Sequence, residues 1–125
     1  MKMIQTKYSV RDGGHYSPAV ECNGTLYISG QLSIDPETGK APEGVKAQAA
    51  QALRNLDTAL RAGGASREDV VMCRVYLPDV AYWGDLNEEY GRFFGEHKPA
   101  RVVVPTNRLY GGCLVEIEAV AQLKQ

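Results

Sequence analysis

The sequence predicts an α+β domain, a β-sheet with two helices laid against one face. Three observations predict it. Local patterns along the 125 residues run β-rich, α, β, α, β, β. Two stretches carry an apolar stripe at helical spacing, and glycine closes each. The strand-like runs alternate so that one set of positions is apolar throughout and the other is mixed.

Residues 1–17 read as a short strand or arm followed by a Gly-rich loop at Gly13 and Gly14. Ala19 to Cys22 reads as a strand. Asn23-Gly24 then signals a hairpin into Thr25-Leu26-Tyr27-Ile28-Ser29, which Gly30 is expected to end. Asp35-Pro36-Glu37-Thr38-Gly39 is a surface turn. Val45 to Arg61 is the first helix, with Val45, Ala49, Ala52, Leu53, Leu56 and Leu60 on its apolar stripe. Lys46, Gln48, Gln51, Arg54, Asp57 and Arg61 fall mostly on the other side, and Gly63-Gly64 stops the helix. Ser66 and Asp69 form a capped turn. Val70 to Leu77 is a β-run closed by Pro78. Asp79 caps a second helix running to about Phe94, with Leu86, Tyr90, Phe93 and Phe94 on its buried side. Tyr76, Tyr82, Trp83 and Tyr90 read as core or interface aromatics. The stretch from Pro99 to Val120 supplies the last two strands.

Counting alternate residues divides the sheet into two faces. Leu26, Ile28, Val71, Cys73, Val75, Leu77, Val102, Val104, Val115, Ile117 and Ala119 form the face that the helices should cover. The other holds Tyr27, Ser29, Met72, Arg74, Tyr76, Arg101, Val103, Leu114, Glu116, Glu118 and Val120. Two helices cover only one face, so this mixed surface is expected to meet another copy of the chain around a wet cleft.

Composition narrows the function. A chain of this length forms one domain over residues 1–125, and its net charge is −1. It has no basic stripe of the kind that tracks nucleic-acid phosphates. No apolar run approaches the roughly 20 residues of a membrane span, and the N-terminus lacks a signal-peptide core, so a cytoplasmic location is expected. Cys22, Cys73 and Cys113 are odd in number and lack C-x-x-C spacing, which reads as three reduced thiols. His15 and His97 share no metal-ligand spacing with them, so no metal is expected.

The charges inside the last two strands remain. Arg101 opens Val102-Val103-Val104, and Glu116 and Glu118 interrupt Leu114, Val115, Ile117, Ala119 and Val120. Such charges are either a surface ion pair or the polar end of a small-molecule site.

Four segments decide how to read them. They are Tyr27-Ile28-Ser29-Gly30-Gln31 with Asp35-Pro36-Glu37-Thr38-Gly39; Leu86-Asn87-Glu88-Glu89-Tyr90 with Phe93-Phe94; His97-Lys98-Pro99-Ala100-Arg101; and Leu114-Val115-Glu116-Ile117-Glu118-Ala119. In this order and at this spacing they resemble the RidA/YjgF family of reactive-intermediate deaminases over nearly the whole chain.

The resemblance implies a chorismate-mutase-like, mostly antiparallel fold assembled as a homotrimer, with clefts at the subunit boundaries. It implies that Arg101 holds a substrate carboxylate and Glu116 positions or activates a water. It places Tyr16, Ser29, Gly30 and Asn87 along the same cleft and leaves Glu118 as a solvated or rim charge. The implied substrates are enamine/imine acids of the 2-aminoacrylate type, hydrolysed to 2-oxo acids and ammonia with no cofactor. The chemistry is consistent with this. A guanidinium matches a carboxylate with two parallel donors, and a carboxylate can both activate water and relay a proton to nitrogen.

Two departures bear on substrate choice: Val103 replaces a frequent family cysteine, and His15 stands where the family has proline. Two alternatives stand beside the deaminase. One is a regulatory or non-catalytic ligand-binding trimer; the other is a deaminase of another amine, such as an aminomuconate-type intermediate.

Overall fold

The computed structural model describes residues 1–8 and 14–124; Gly13, read above as part of the Gly-rich loop, lies outside them. The strands are β1 (Lys2–Ile4), β2 (Ala19–Cys22), β3 (Thr25–Leu32), β4 (Val70–Leu77), β5 (Ala100–Pro105) and β6 (Glu116–Gln122). The helices are α1 (Val45–Ala62) and α2 (Trp83–Phe94). One six-stranded sheet has the order β1-β2-β3-β6-β4-β5. All neighbours are antiparallel except β4 and β5, which α2 connects in parallel.

The hairpin forms where Asn23-Gly24 predicts it, with both residues at positive φ. Asp79 caps the entry to α2 through a single turn at Val80–Tyr82: its carboxylate accepts from the Ala81 N–H at 2.9 Å. Ser66 and Asp69 cap the turn before β4, the Asp69 carboxylate accepting from the Ser66 N–H at 2.9 Å.

The core lies between the sheet and the two helices. Leu53, Leu56 and Leu60 of α1 and Leu86, Tyr90 and Phe94 of α2 pack onto Leu26, Ile28, Cys73, Val75, Val115, Ile117 and Ala119. Gly63 allows α1 to end tight against β3, since a Cβ there would stand 2.6 Å from Leu26 Cδ2.

The structure corrects five expectations. Gly30 does not end β3: the strand continues to Leu32 through a bulge at Ser29-Gly30. Strand β6 begins at Glu116, leaving Leu114 and Val115 before it. Gln48 and Gln51 are buried, not solvated. They are satisfied inside: Gln48 Oε1 accepts from the Ser33 hydroxyl at 2.7 Å and the Leu114 N–H at 2.8 Å, and Gln51 Nε2 donates to Asn55.

Val71 points outward, because the β4–β6 register shifts between Val70 and Met72 and Val70 takes the inner position. The fifth correction concerns β5. Arg101 is level with Cys73 in the parallel pair, and Val102 with Arg74. Adjacent residues in register share a face. Arg101 therefore lies on the helix side with buried Cys73, and Val102 is exposed on the other side.

Candidate active site

The predicted site residues form two groups in one chain. The first surrounds Glu116, the first residue of β6. Across the sheet Glu116 is level with Leu32 of β3 and Tyr76 of β4, all on the face that the helices leave uncovered. Its carboxylate lies over Gly30: a Cβ at that glycine would stand 2.5 Å from Glu116 Oε2. The bulge and the missing side chain together make the space the carboxylate occupies. Glu116 faces a cavity of about 550 Å³ lined by Gly14, Tyr16, Ser29, Gly30, Leu32, Ile34 and Tyr110.

No cation or hydrogen-bond donor among the described residues contacts Glu116, and burial, then the neighbouring charge of Glu118, holds its carboxyl above the usual carboxylate range. Glu118, two residues on, is tied up: Arg74 Nη1 reaches its Oε1 at 3.1 Å and the Tyr76 hydroxyl donates to its Oε2 at 2.5 Å. Two carboxylates from one strand thus differ in kind, one paired and one left free in a cavity.

Ser29 and Tyr16 also belong to this group. The Ser29 hydroxyl donates to Ser17 O at 2.7 Å and its N–H to Pro18 O at 3.0 Å, fastening the Tyr16-bearing loop to β3. Its proton is thereby committed, so its oxygen can offer a ligand only acceptor capacity. Tyr16 stands at the cavity wall, about half exposed.

The second group is built on α2 and β5. Trp83, Asn87 and Tyr90 recur at i, i+4 and i+7, one face of the helix. That face meets Arg101. Asn87 Oδ1 accepts from Arg101 Nη1 at 2.9 Å, and the guanidinium carbon lies 4.7 Å from the Tyr90 ring centroid and 5.6 Å from that of Trp83. Among the described residues no carboxylate pairs with Arg101. Its stem is covered and its head is oriented, so it can receive an anion without first giving one up. Burial pushes both the Tyr90 hydroxyl and the Cys73 thiol up, so both stay neutral beneath Arg101.

Thus Tyr16, Ser29, Gly30 and Glu116 come together, and Asn87 joins Arg101. The two groups do not meet. Glu116 and Arg101 lie on opposite faces of the sheet, separated by two strand spacings, roughly 10 Å, and by three residues along the strands, roughly another 10 Å. The expectation that they share a face is overturned by the register of β5.

Sequence reasoning missed Leu32, Ile34 and Tyr110 as cavity walls and Trp83 and Tyr90 as the support of Arg101. The helical spacing of 83, 87 and 90 was a signal for the latter pair. The bulge concealed Leu32, because it reverses the alternation after Gly30, and Tyr110 arrives on a separate turn.

Comparison with known proteins places the chain in a family. The family model described as Endoribonuclease L-PSP matches residues 7–123. A RutC family protein of Pyrococcus horikoshii is 42% identical over 121 residues, covering 96% of each chain. The 2-iminobutanoate/2-iminopropanoate deaminase of mouse is 41% identical over 121 residues, covering 96% of this chain and 90% of its own. The crystal structure of RidA from an Antarctic Psychrobacter species superposes with a TM-score of 0.92 at 41% identity, over 98% of this chain and all of that one. With the match running from the N-terminal arm to the end of β6, through both halves of the site, the chain belongs to the Endoribonuclease L-PSP family, the RidA/YjgF proteins.

Proposed function

We propose that this protein hydrolyses 2-imino acids to 2-oxo acids and ammonia, at sites that two copies of the chain complete together. The observation that carries the reading is the free, half-buried carboxylate of Glu116, seated over Gly30 in a cavity and held above the usual carboxylate range. A base at the wall of a cavity, with a pKa moved toward neutrality, suits proton transfer to and from water. Its counterpart is Arg101, aligned by Asn87 and backed by Tyr90 and Trp83.

The proposed chemistry uses both. Arg101 takes the substrate carboxylate through its paired N–H donors and fixes the imine carbon. Glu116 accepts a proton from water as the water oxygen bonds to that carbon, giving a tetrahedral carbinolamine. Glu116 returns that proton to the imine nitrogen, which completes the neutral carbinolamine. It then takes the carbinolamine hydroxyl proton and delivers it to the amino nitrogen as the C–N bond breaks, so that ammonia leaves and the carbonyl forms. Proton transfer of this kind contributes about 10²–10⁴-fold. Since Arg101 and Glu116 face apart in one chain, the reading requires a homo-oligomer, and the family resemblance favours a trimer. The uncovered face supports such contacts: Tyr27, Val71 and Val102 are each exposed by 40% or more.

The test is a coupled assay. A serine or threonine dehydratase generates the enamine in place, and release of the 2-oxo acid is followed with and without this protein. Acceleration is expected, lost in Arg101→Ala and Glu116→Gln and largely kept in Glu118→Ala. No acceleration at micromolar protein, with this imine or with the imine of any other amino acid, overturns the reading.

A further inference from the structure

The cavity wall beside Glu116 is largely apolar. Leu32 is level with Glu116 on the same face of the sheet, so its side chain stands beside the carboxylate. Ile34 continues that wall two residues on. The turn at Tyr110–Gly112 closes against it: Ile34 Cδ1 lies 3.9 Å from where a Cβ on Gly111 would stand. Gly111 and Gly112 both have positive φ, 68° and 72°, a conformation that glycine adopts freely. This pair of residues folds the turn so that Tyr110 reaches the mouth of the cavity. A leucine, an isoleucine and a tyrosine ring thus form one continuous apolar surface next to Glu116.

We propose that this surface is a side-chain pocket and that the preferred substrates are 2-imino acids with branched aliphatic or aromatic side chains, not the methyl and ethyl imines. The proposal rests on the hydrolytic reading above and concerns which imine that site takes. Three observations carry it. In the single chain the cavity measures about 550 Å³, within the range of roughly 300–1,000 Å³ typical of small-molecule sites, which is more room than a three-carbon acid fills. Leu32 and Ile34 would strip water from a polar substrate side chain laid against them without replacing the lost hydrogen bonds. An acidic side chain would also meet the charges of Glu116 and Glu118 on the same face. Leu32 and Ile34 belong to the same chain as Glu116, so the wall persists when the second copy brings Arg101 to the mouth.

Each methylene placed against such a wall is worth about 10-fold or more in kcat/KM. The test generates imines from alanine, leucine, phenylalanine and aspartate with an amino-acid oxidase, catalase removing the peroxide. It measures the enzyme-dependent rate above spontaneous hydrolysis. The leucine and phenylalanine imines are expected to exceed the alanine imine by about 10-fold or more in kcat/KM, with the aspartate imine slowest. Equal rates, or a preference for the alanine imine, overturn the pocket while the hydrolytic reading stands.

Binding separates the two claims in the other direction. By titration calorimetry, 4-methyl-2-oxopentanoate is expected to bind at least about 10-fold tighter than pyruvate. Tighter binding without turnover of any imine sinks the hydrolytic reading and keeps the pocket; equal binding sinks the pocket. Ile34→Ala and Tyr110→Ala are expected to lower the leucine-to-alanine rate ratio about 3–10-fold each. A variant that is merely less well folded lowers both rates alike, so an unmoved ratio in both variants also counts against the pocket.

Discussion

Glu116 owes its position to what Gly30 lacks. The Cβ that Gly30→Ala would add falls 2.5 Å from Glu116 Oε2, and that oxygen is the mobile end of a side chain. The carboxylate therefore swings away, and the fold is spared. The expected result is a fall in kcat of about 10-fold or more, with a loss of stability under about 1 kcal/mol, a few degrees in Tm. Scanning calorimetry and the coupled assay, run on one preparation, check both. The charge on Glu118 gives a second prediction at this scale. It faces Glu116 from the same strand and helps hold that carboxyl up. A base must be ionised to accept a proton, so activity should fall as pH drops through the raised pKa of Glu116. Glu118→Gln removes the like charge, which lowers that pKa and moves the acidic limb of the pH–rate profile to lower pH. An unmoved limb, or one displaced upward, would show that another group controls the profile.

The elements meet through close approaches as well as apolar stripes, and Gly63 is the sharpest. Its φ is −87°, so alanine there carries no backbone strain. An added Cβ would still lie 2.6 Å and 2.7 Å from the two terminal carbons of Leu26, which is fully buried and has nowhere to move. Gly63→Ala should cost about 1–3 kcal/mol by overpacking, measured as a lower urea midpoint with an unchanged m-value. The same contact shows what could be read from the residues alone. The stop at Gly63-Gly64 was legible because helix ends have their own chemistry; that Leu26 fills the space above Gly63 depends on a pairing of distant segments. Both helices, the Asn23-Gly24 hairpin and strand β4 were legible for the same local reason. The parity count failed at Val71 and in β5, each time for a nonlocal cause. The first was a bulge between Val70 and Met72, which sets Val71 out of phase with the buried Cys73, Val75 and Leu77. The second was the edge strand β5, where Val102 looks like a core residue yet faces outward, while Arg101 turns inward because Trp83, Asn87 and Tyr90 provide a surface for it. Arg101 and Glu116 were identified as a pair by their motifs; that they face apart depends on the β4–β5 register, which no local pattern encodes.

At the scale of the molecule, those opposed faces turn a question of residues into one of assembly. One chain holds an oriented cation on the helix side of β5 and a free carboxylate on the uncovered side of β6. A monomer cannot bring both to one substrate without breaking its sheet. A closed ring of identical copies can, because each copy offers its Arg101 side to one neighbour and its Glu116 side to the other. Size-exclusion chromatography with light scattering should therefore give a trimer at micromolar concentration, and a monomer there would leave the two halves without a way to meet. Subunit mixing goes further, because it asks whether the halves of one site come from different chains. Arg101→Ala and Glu116→Gln are each expected to be inactive as pure trimers. Denatured together in equal amounts and refolded, they form mixed rings. A site is intact when the copy supplying the arginine carries only the glutamate change and the copy supplying the glutamate carries only the arginine change. Random assembly makes that about one site in four, so about a quarter of wild-type activity should return. If both groups instead acted from a single chain, every chain in the mixture would lack one of them and no activity would reappear at any mixing ratio.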